Sequence, residues 1–332
     1  MILLYNPPSS ARRKPVLPMS LLALGAVLEG EYDYRIIDGN LEQDPLAALD
    51  LVILETGADL LAVTVMPGPQ LENAVPVCRV LKERHPDLII VWGGYFPTQH
   101  YDVCLSADYL DYVVRGHGEV TFLKLLRYLY GRQPGNHAPI LQVPNGNPST
   151  PSPRGLSDIQ GLAFRHPKNG AIISNPLAPI PHPRQLPPFP YHRVDVPLYV
   201  RRTFMGRRTL PHHSSYGCPF FCNFCAVVNM VNGRWLAQSG GQTADTVRYM
   251  VNTWGLDAVE FYDNNFFTHE ARVADFAERI MDLNIGWWGE ARIDTMLKYD
   301  DRTWSLMRDS GLRMVFLGAE SGSDTTLKRM NK

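Results

Sequence analysis

The sequence predicts two α/β domains in series: a doubly wound, Rossmann-like parallel sheet, then a partial (β/α) barrel of the TIM type. Three observations predict it. Short apolar runs alternate with stretches of helical spacing along most of the 332 residues. Nearly every run ends in a turn rich in Gly, Pro or Asn. A proline-dense stretch divides the series in two. Apolar strands spaced by helices mean a parallel sheet covered on both faces. The chain is also longer than the ~250–300 residues at which single cores stop growing.

The first domain is expected over residues 1–135. Met1–Tyr5 is a strand ending at Asn6-Pro7-Pro8, and Ser20–Glu29 has helical spacing. Tyr34–Ile37 is a strand ending at Asp38-Gly39-Asn40, followed by a helix over Pro45–Thr56. Leu60–Val65 is a fully apolar strand ending at Met66-Pro67-Gly68, followed by a helix over Gln70–His85. Leu88–Val91 ends at Trp92-Gly93-Gly94. Tyr112–Val114 precedes Arg115-Gly116-His117-Gly118-Glu119 and a helix over Val120–Tyr130. Open sheets of this kind bind ligands beyond the carboxyl ends of their strands, where these turns lie. No G-x-G-x-x-G follows the first strand, so a dinucleotide is disfavoured. Gly93-Gly94 fits a plain turn as well as the close approach of a large flat ligand. Residues 136–198 read as a proline-rich linker with one hairpin, Gly161–Arg165 and Ala171–Ser174 about Lys168-Asn169-Gly170.

The second domain is expected over residues 199–332. Arg208–Ser214 leads into a cysteine loop, and Gln242–Trp254 is helical. Ala258–Tyr262 is a strand ending at Asp263-Asn264-Asn265, and Glu270–Leu283 is helical. Gly286–Ala291 leads to Arg292-Ile293-Asp294, and Thr303–Ser310 is helical. Met314–Leu317 ends at Gly318-Ala319-Glu320-Ser321-Gly322. Four β/α units in series are the pattern of a barrel or part of one. The chain stops at Lys332, just after the fourth strand, so no full barrel is expected to close.

Composition narrows the function. Net charge is −1, which argues against a general nucleic-acid binder. The longest apolar run, Met19 to Leu28, is half the ~20 residues a membrane span needs. It lies behind Pro15 and Pro18, too late for a secretory signal. No membrane partner is expected, and the cytoplasm is the default. Three of the five cysteines crowd into Cys218-Pro-Phe-Phe-Cys222-Asn-Phe-Cys225. That spacing is unlike a disulfide framework and favours metal or redox chemistry. Thiolates are the usual ligands of iron–sulfur clusters. Three of them on a four-iron cubane leave one iron open to a substrate. A structural zinc site with His212 or His213 as fourth ligand, or unligated buried thiols, are the alternatives. Cys78, Cys104, His100 and His117 read as structural, and Trp287 and Trp288 as core. Arg201-Arg202 and Arg207-Arg208 fit a solvated face as well as an anion clamp.

C-x3-C-x2-C with Phe224 before the last cysteine resembles the signature of the radical S-adenosylmethionine superfamily. The resemblance implies a 4Fe–4S cluster on Cys218, Cys222 and Cys225, with S-adenosylmethionine bound at its open iron and cleaved to a 5′-deoxyadenosyl radical. By the same resemblance, Phe224, Asp263, Asn264, Arg292, Glu320 and Ser321 contact S-adenosylmethionine. Asp263 and Asn264 would face its amino group, Arg292 its carboxylate, and Glu320 and Ser321 its ribose. The first domain resembles the cobalamin-binding domain of cobalamin-dependent members of that family. This implies cobalamin held by Met66, Pro67, Gly68, Gly93, Gly94, Tyr95, Phe96, Gly116, His117 and Glu119. Two departures stand out. The D-x-H-x-x-G motif is absent, since Asp38-Gly39-Asn40 has no histidine, and His117 replaces a usual Glu. The implied activity is methyl transfer to an unactivated carbon of a small-molecule or peptide substrate. The electron donor would be a flavodoxin or ferredoxin. Oxidative cyclisation or rearrangement, as in porphyrin-cyclase relatives, and non-catalytic cofactor binding are the alternatives. Family members continue through two further strands, so the chain is expected to be a fragment or to be completed by another chain.

Overall fold

The computed structural model describes residues 1–9, 15–131 and 155–332. The chain divides into two compact units, one of residues 1–181 and 185–195, the other of 182–184 and 196–332.

The first unit runs β1 (Ile2–Asn6), α1 (Met19–Leu28), β2 (Tyr34–Asp38), α2 (Pro45–Thr56), β3 (Leu60–Thr64), α3 (Pro69–Arg84), β4 (Ile89–Gly93), α4 (Tyr95–Gln99), α5 (Tyr101–Leu105), β5 (Tyr112–Val114), α6 (Gly118–Tyr130), β6 (Leu162–Arg165) and β7 (Ile172–Ser174). Local signals set the boundaries. In α2 the Asp44 side chain accepts from Ala47 N, Pro45 opens the helix, and Gly57 closes it at φ 64°. The strands bury both faces by alternation. Leu3 and Tyr5 pack with Leu49 and Ile53 of α2 and with Ala74, Cys78 and Leu81 of α3. Ile2 and Leu4 pack with Leu21 and Leu28 of α1 and with Phe122, Leu125 and Leu126 of α6.

The sheet order is β2-β1-β3-β4-β5-β6-β7. The first five strands are parallel; β6 and β7 are antiparallel. The order reverses between β1 and β3, the switch point where doubly wound sheets take ligands. The linker expectation needs correction here. Its hairpin is not a separate feature but the last two strands of this sheet. Arg115 N donates to Gly161 O at 2.8 Å, and Arg165 Nη1 donates to Leu105 O and Ala107 O at 2.6 and 3.0 Å. An edge β5 of three residues offers a ladder that the hairpin completes. Residues 132–154 of the proline-dense stretch lie outside the described residues.

The second unit runs β8 (Thr209–His212), β9 (Ser215–Gly217), α7 (Val227–Val231), β10 (Trp235–Ala237), α8 (Gly240–Trp254), β11 (Ala258–Phe261), α9 (Glu270–Ile280), β12 (Gly286–Ala291), α10 (Ile293–Met296), α11 (Asp301–Asp309), β13 (Leu312–Leu317) and α12 (Asp324–Met330). Strands β8, β11, β12 and β13 form one all-parallel sheet in sequential order, as expected of four β/α units. The short antiparallel pair β9–β10 was not expected. Three-residue strands carry too little alternation to show in sequence.

One face of this sheet meets the helices through aromatic rings. Phe261, Phe266, Phe276 and Trp287 have centroids 4.3 to 6.3 Å apart, and Trp287 Nε1 donates to Ser310 Oγ at 3.2 Å. Trp287 is fully buried, whereas its neighbour Trp288 points to the other face and lies 6.0 Å from the Tyr262 ring. Among the described residues no helix is long and apolar enough to cross a membrane. Truncating Trp287 to Ala should cost about 3–5 kcal/mol of stability, read as a fall in denaturant midpoint. A loss under about 1 kcal/mol would mean this cluster does not organise the second unit.

Candidate functional site

In the second unit the cysteine loop hangs between β9 and α7. Gly217 closes β9 at φ 82°, where a Cβ would stand 2.2 Å from Arg234 O of the facing strand, so only glycine fits. Cys222 is buried, and Cys218 and Cys225 are partly open. Phe221 folds back, its ring against Gly233. Phe224 is half exposed. Cys225 N donates to Cys222 O at 3.0 Å, beginning the turn that leads into α7.

Two ends of the fold grip this loop. Asn223 Nδ2 donates to Arg329 O at 2.8 Å and Asn331 Nδ2 to Phe221 O at 2.7 Å, so the end of α12 fastens it from one side. From the other side Arg292, at the end of β12, donates from Nη1 to Cys222 Sγ at 3.2 Å and lies 4.0 Å over the Phe220 ring. Burial pushes the Cys218 thiol up in pKa, against hydrogen bonding from the Phe220 backbone and the Asn265 amide.

Three thiols in one loop are a donor set of the kind iron–sulfur clusters use. Zinc binds sulfur at about 2.3 Å, which demands that its ligands converge on one point. His212, a suggested fourth zinc ligand, is instead buried in β8 beneath the loop, its ring 6.0 Å from Phe261. A cubane ligated at three corners needs thiols spread around it. The donor set and the partly open mouth therefore fit a 4Fe–4S cluster.

The other expected contacts are placed unevenly. Asp263 follows β11 and is fully buried. Its carboxylate accepts from Ser214 N at 3.1 Å, Ser214 Oγ at 2.8 Å and Ser215 Oγ, so it supports the hairpin under the cysteines. Its side chain faces the protein; the exposed side chain of that turn is Asn264. Arg292 is turned to the cysteine loop. Glu320 has a left-handed backbone (φ 59°) and pairs with Lys332 at 3.0 Å, while Ser321 Oγ accepts from Ser323 N at 3.1 Å. Arg201 pairs with Glu260 and Tyr262, and Arg208 donates to Trp254 O and Gly255 O at the end of α8, so neither forms an anion clamp.

Residues that sequence reasoning passed over, together with Trp288, which it expected in the core, line the sheet face opposite the aromatic core. Glu260 of β11, Tyr262 just past its end, and Trp288 and Glu290 of β12 alternate onto that face. Burial, with Asp263 nearby, raises the Glu290 carboxyl above the usual range. Glu290, a charged residue inside strand β12, was the available signal. A separate cavity of about 400 Å³ beside α8 and α9, lined by Arg184, Trp235, His269 and Arg272, contains none of the expected residues.

In the first unit the loops beyond β1, β3, β4 and β5 surround the switch point. Met66, Pro67 and Gly68 are exposed, and a Cβ on Gly68 would meet nothing within 4 Å. A buried polar chain backs them. Asp38 Oδ1 accepts from Asn6 at 2.9 Å, Asn6 Oδ1 accepts from Gln70 at 2.7 Å, and Gln70 Oε1 accepts from Met66 N at 2.9 Å. Asn40, where a lower-ligand histidine would stand, is buried and donates from Nδ2 to Asp38 at 2.7 Å. Of the glycine pair, Gly94 is required by its own turn: φ is 99°, and a Cβ would lie 3.1 Å from the Val65 backbone. Gly93 meets only ordinary contacts, while Tyr95 and Phe96 begin α4 and stay partly open. Gly116 N donates to Thr98 Oγ1 at 2.9 Å. His117 precedes α6, and Glu119 is buried in its first turn, where a carboxylate suits the helix dipole. An open rim over a rigid polar floor fits a large ligand such as cobalamin. Cys78 is buried and accepts from Trp92 Nε1 at 3.3 Å, and Cys104 is buried, so both are packing residues.

Residues 11–126 match the B12-binding domain family, so the first unit carries a B12-binding domain. The whole chain is 27% identical to the uncharacterized methyltransferase PH0819 of Pyrococcus horikoshii, covering 68% of that protein. It is 28% identical to the anaerobic magnesium-protoporphyrin IX monomethyl ester cyclase of Synechocystis, covering 63% of it. The structure of OxsB, a cobalamin-dependent S-adenosylmethionine radical enzyme with aqua-cobalamin and S-adenosylmethionine bound, matches with a TM-score of 0.79 at 18% identity, over 99% of this chain and 45% of that one. The radical S-adenosylmethionine methyltransferase TsrM from Kitasatospora setae matches with a TM-score of 0.72 at 17% identity, over 98% of this chain and 60% of that one. The chain thus shares their fold and spans about half to two-thirds of their length.

Burial of His212 gives the second unit a pH dependence. Desolvation beneath the loop holds its imidazole down at about 4. The unfolded chain takes up this proton near its ordinary value of about 6.5. Stability is therefore fully present above pH 6.5 and lost as pH falls towards 4, by up to about 1.4 kcal/mol per pH unit. Urea unfolding of the parent and of His212→Gln between pH 7.5 and 4 should show a steeper fall in the parent. Equal slopes would sink this assignment.

Proposed function

We propose that this chain, which carries a B12-binding domain and groups with the cobalamin-dependent radical S-adenosylmethionine enzymes, uses a 4Fe–4S cluster and cobalamin to transfer a methyl group to an unactivated carbon. The observation that carries the reading is the three-cysteine loop, pinned beside an open strand-end face, on a chain whose other unit is a B12-binding domain. When bound, the cluster supplies the electron that cleaves S-adenosylmethionine, and cobalamin supplies the methyl group.

The protein's own part is positioning. Cys218, Cys222 and Cys225 hold three irons and leave the fourth for S-adenosylmethionine. Phe224 offers an exposed ring to the adenine side, and Asn264 the free polar group of the β11 turn. Glu320 and Ser321 lie on the turn after the fourth strand, the position that suits a ribose. The sequential all-parallel sheet is the order of a partial barrel, with Tyr262, Trp288 and Glu290 on its inner face to receive substrate. In the first unit Met66–Gly68, Gly93–Phe96 and Gly116–Glu119 frame the cobalamin face. Asn40 is locked to Asp38, so no histidine from that turn reaches cobalt. An external electron donor, a flavodoxin or ferredoxin, completes the requirement. Similarity to the ester cyclase supports oxidative cyclisation as the second reading.

Protein purified without oxygen and reconstituted with iron, sulfide and hydroxocobalamin should hold about four irons and one cobalamin. It should form 5′-deoxyadenosine with dithionite, and Cys222→Ala should lose at least about 100-fold of that product. Zinc in place of iron would overturn the reading. Iron without cobalamin would remove methyl transfer from it.

A further inference from the structure

The Arg292 guanidinium is fixed on every side. Nε and Nη2 donate to the two oxygens of Asp294 at 2.9 and 3.0 Å, a bidentate fork that sets the plane of the group. That plane lies 4.0 Å over the ring of Phe220, itself between Cys218 and Cys222. The remaining edge sends Nη1–H to Cys222 Sγ at 3.2 Å. The arginine side chain is only 12% exposed, its Asp294 partner 52%. A flexible surface cation would not be held in this way.

Resting on the cluster reading above, we propose that Arg292 is a positioning residue that tunes the cluster. Its N–H···S bond orients Cys222 and raises the cluster's reduction potential, and Asp294 limits how much of the positive charge the cluster feels. The reason is electrostatic. Reduction adds one negative charge to a cluster that thiolates already make anionic. A cation and a donor at a ligating sulfur stabilise the more negative state and raise the potential. The Asp294 carboxylate opposes that effect. It is mostly in water and is screened, so the pair keeps a net positive edge toward the sulfur. A residue that only received the S-adenosylmethionine carboxylate would leave the potential unchanged when that molecule is absent.

The test is redox titration of the reconstituted protein without S-adenosylmethionine, followed by electron paramagnetic resonance of the reduced cluster. At the parent's midpoint, Arg292→Met should lower the ratio of reduced to oxidised cluster about tenfold, a shift of roughly 59 mV for one electron. Asp294→Asn should move the midpoint the opposite way, and Arg292→Lys should fall between Met and parent. Opposite signs from neighbouring substitutions cannot come from general damage to the loop. An unchanged midpoint in Arg292→Met, or shifts of the same sign in both variants, would overturn the proposal and leave the cluster reading intact. If Arg292→Met holds no iron, Asp294→Asn decides alone: an upward shift supports the proposal, and no shift or a downward one refutes it. Parent protein without a cluster would defeat both readings together.

Discussion

The carboxylate of Asp263 is wholly buried, and the ground beneath the cysteine loop is organised around it. A buried charge must be paired and hydrogen-bonded, or its desolvation outweighs anything it contributes. Here Ser214 meets it with both backbone and hydroxyl donors, and Ser215 with its hydroxyl. Arg272, itself buried, donates to the same Ser214 hydroxyl at 2.5 Å, so the serine relays between cation and anion. Arg272 also donates to Gln238 O at 2.8 Å and Phe266 O at 3.1 Å. One network thus ties β9, the chain after β10, the turn after β11 and helix α9. The cysteines begin three residues past Ser215, on a strand that this network cannot let move.

That network explains why the role of Asp263 was hard to read in advance. The sequence marks a polar turn after an apolar strand, and such turns commonly face ligand. It does not show that Ser214 and Ser215 bring three donors to the carboxylate, because that depends on strands distant in sequence. Arg292 was legible as a charge at a strand end, but its partner was not. Asp294, two residues on, takes up the fork, and only the folded loop brings Cys222 to the free edge.

The elements with strong periodic signals were the legible part. Pro45–Thr56 and Gly286–Ala291 fold over the residues expected, because caps at Asp44 and Gly57 bound the helix locally and turn residues bound the strand. The hairpin of residues 162–174 was recognised from Asn169-Gly170, but its place was not. Turn chemistry fixes a hairpin; which sheet edge receives it is a matter of non-local pairing. The proline density around it suggested a linker, whereas prolines here flank a strand that fills the open edge at β5. Helix α7 and strand β10 escaped notice because five and three residues are too few to show a period.

The fourth strand is coupled to the cysteines more directly than sheet order suggests. Strand β13 leads through the Glu320 turn into α12, and the end of α12 returns to hold the backbone of Phe221 and the side chain of Asn223. Lys332, just beyond, pairs with Glu320. The turn expected to meet the ribose and the loop expected to hold the iron are therefore braced by one short helix. Glu320 has a left-handed backbone, uncommon outside glycine. Arg292 closes the same frame from β12, the neighbouring strand in the sheet. The loop is thus held from two adjacent strand ends.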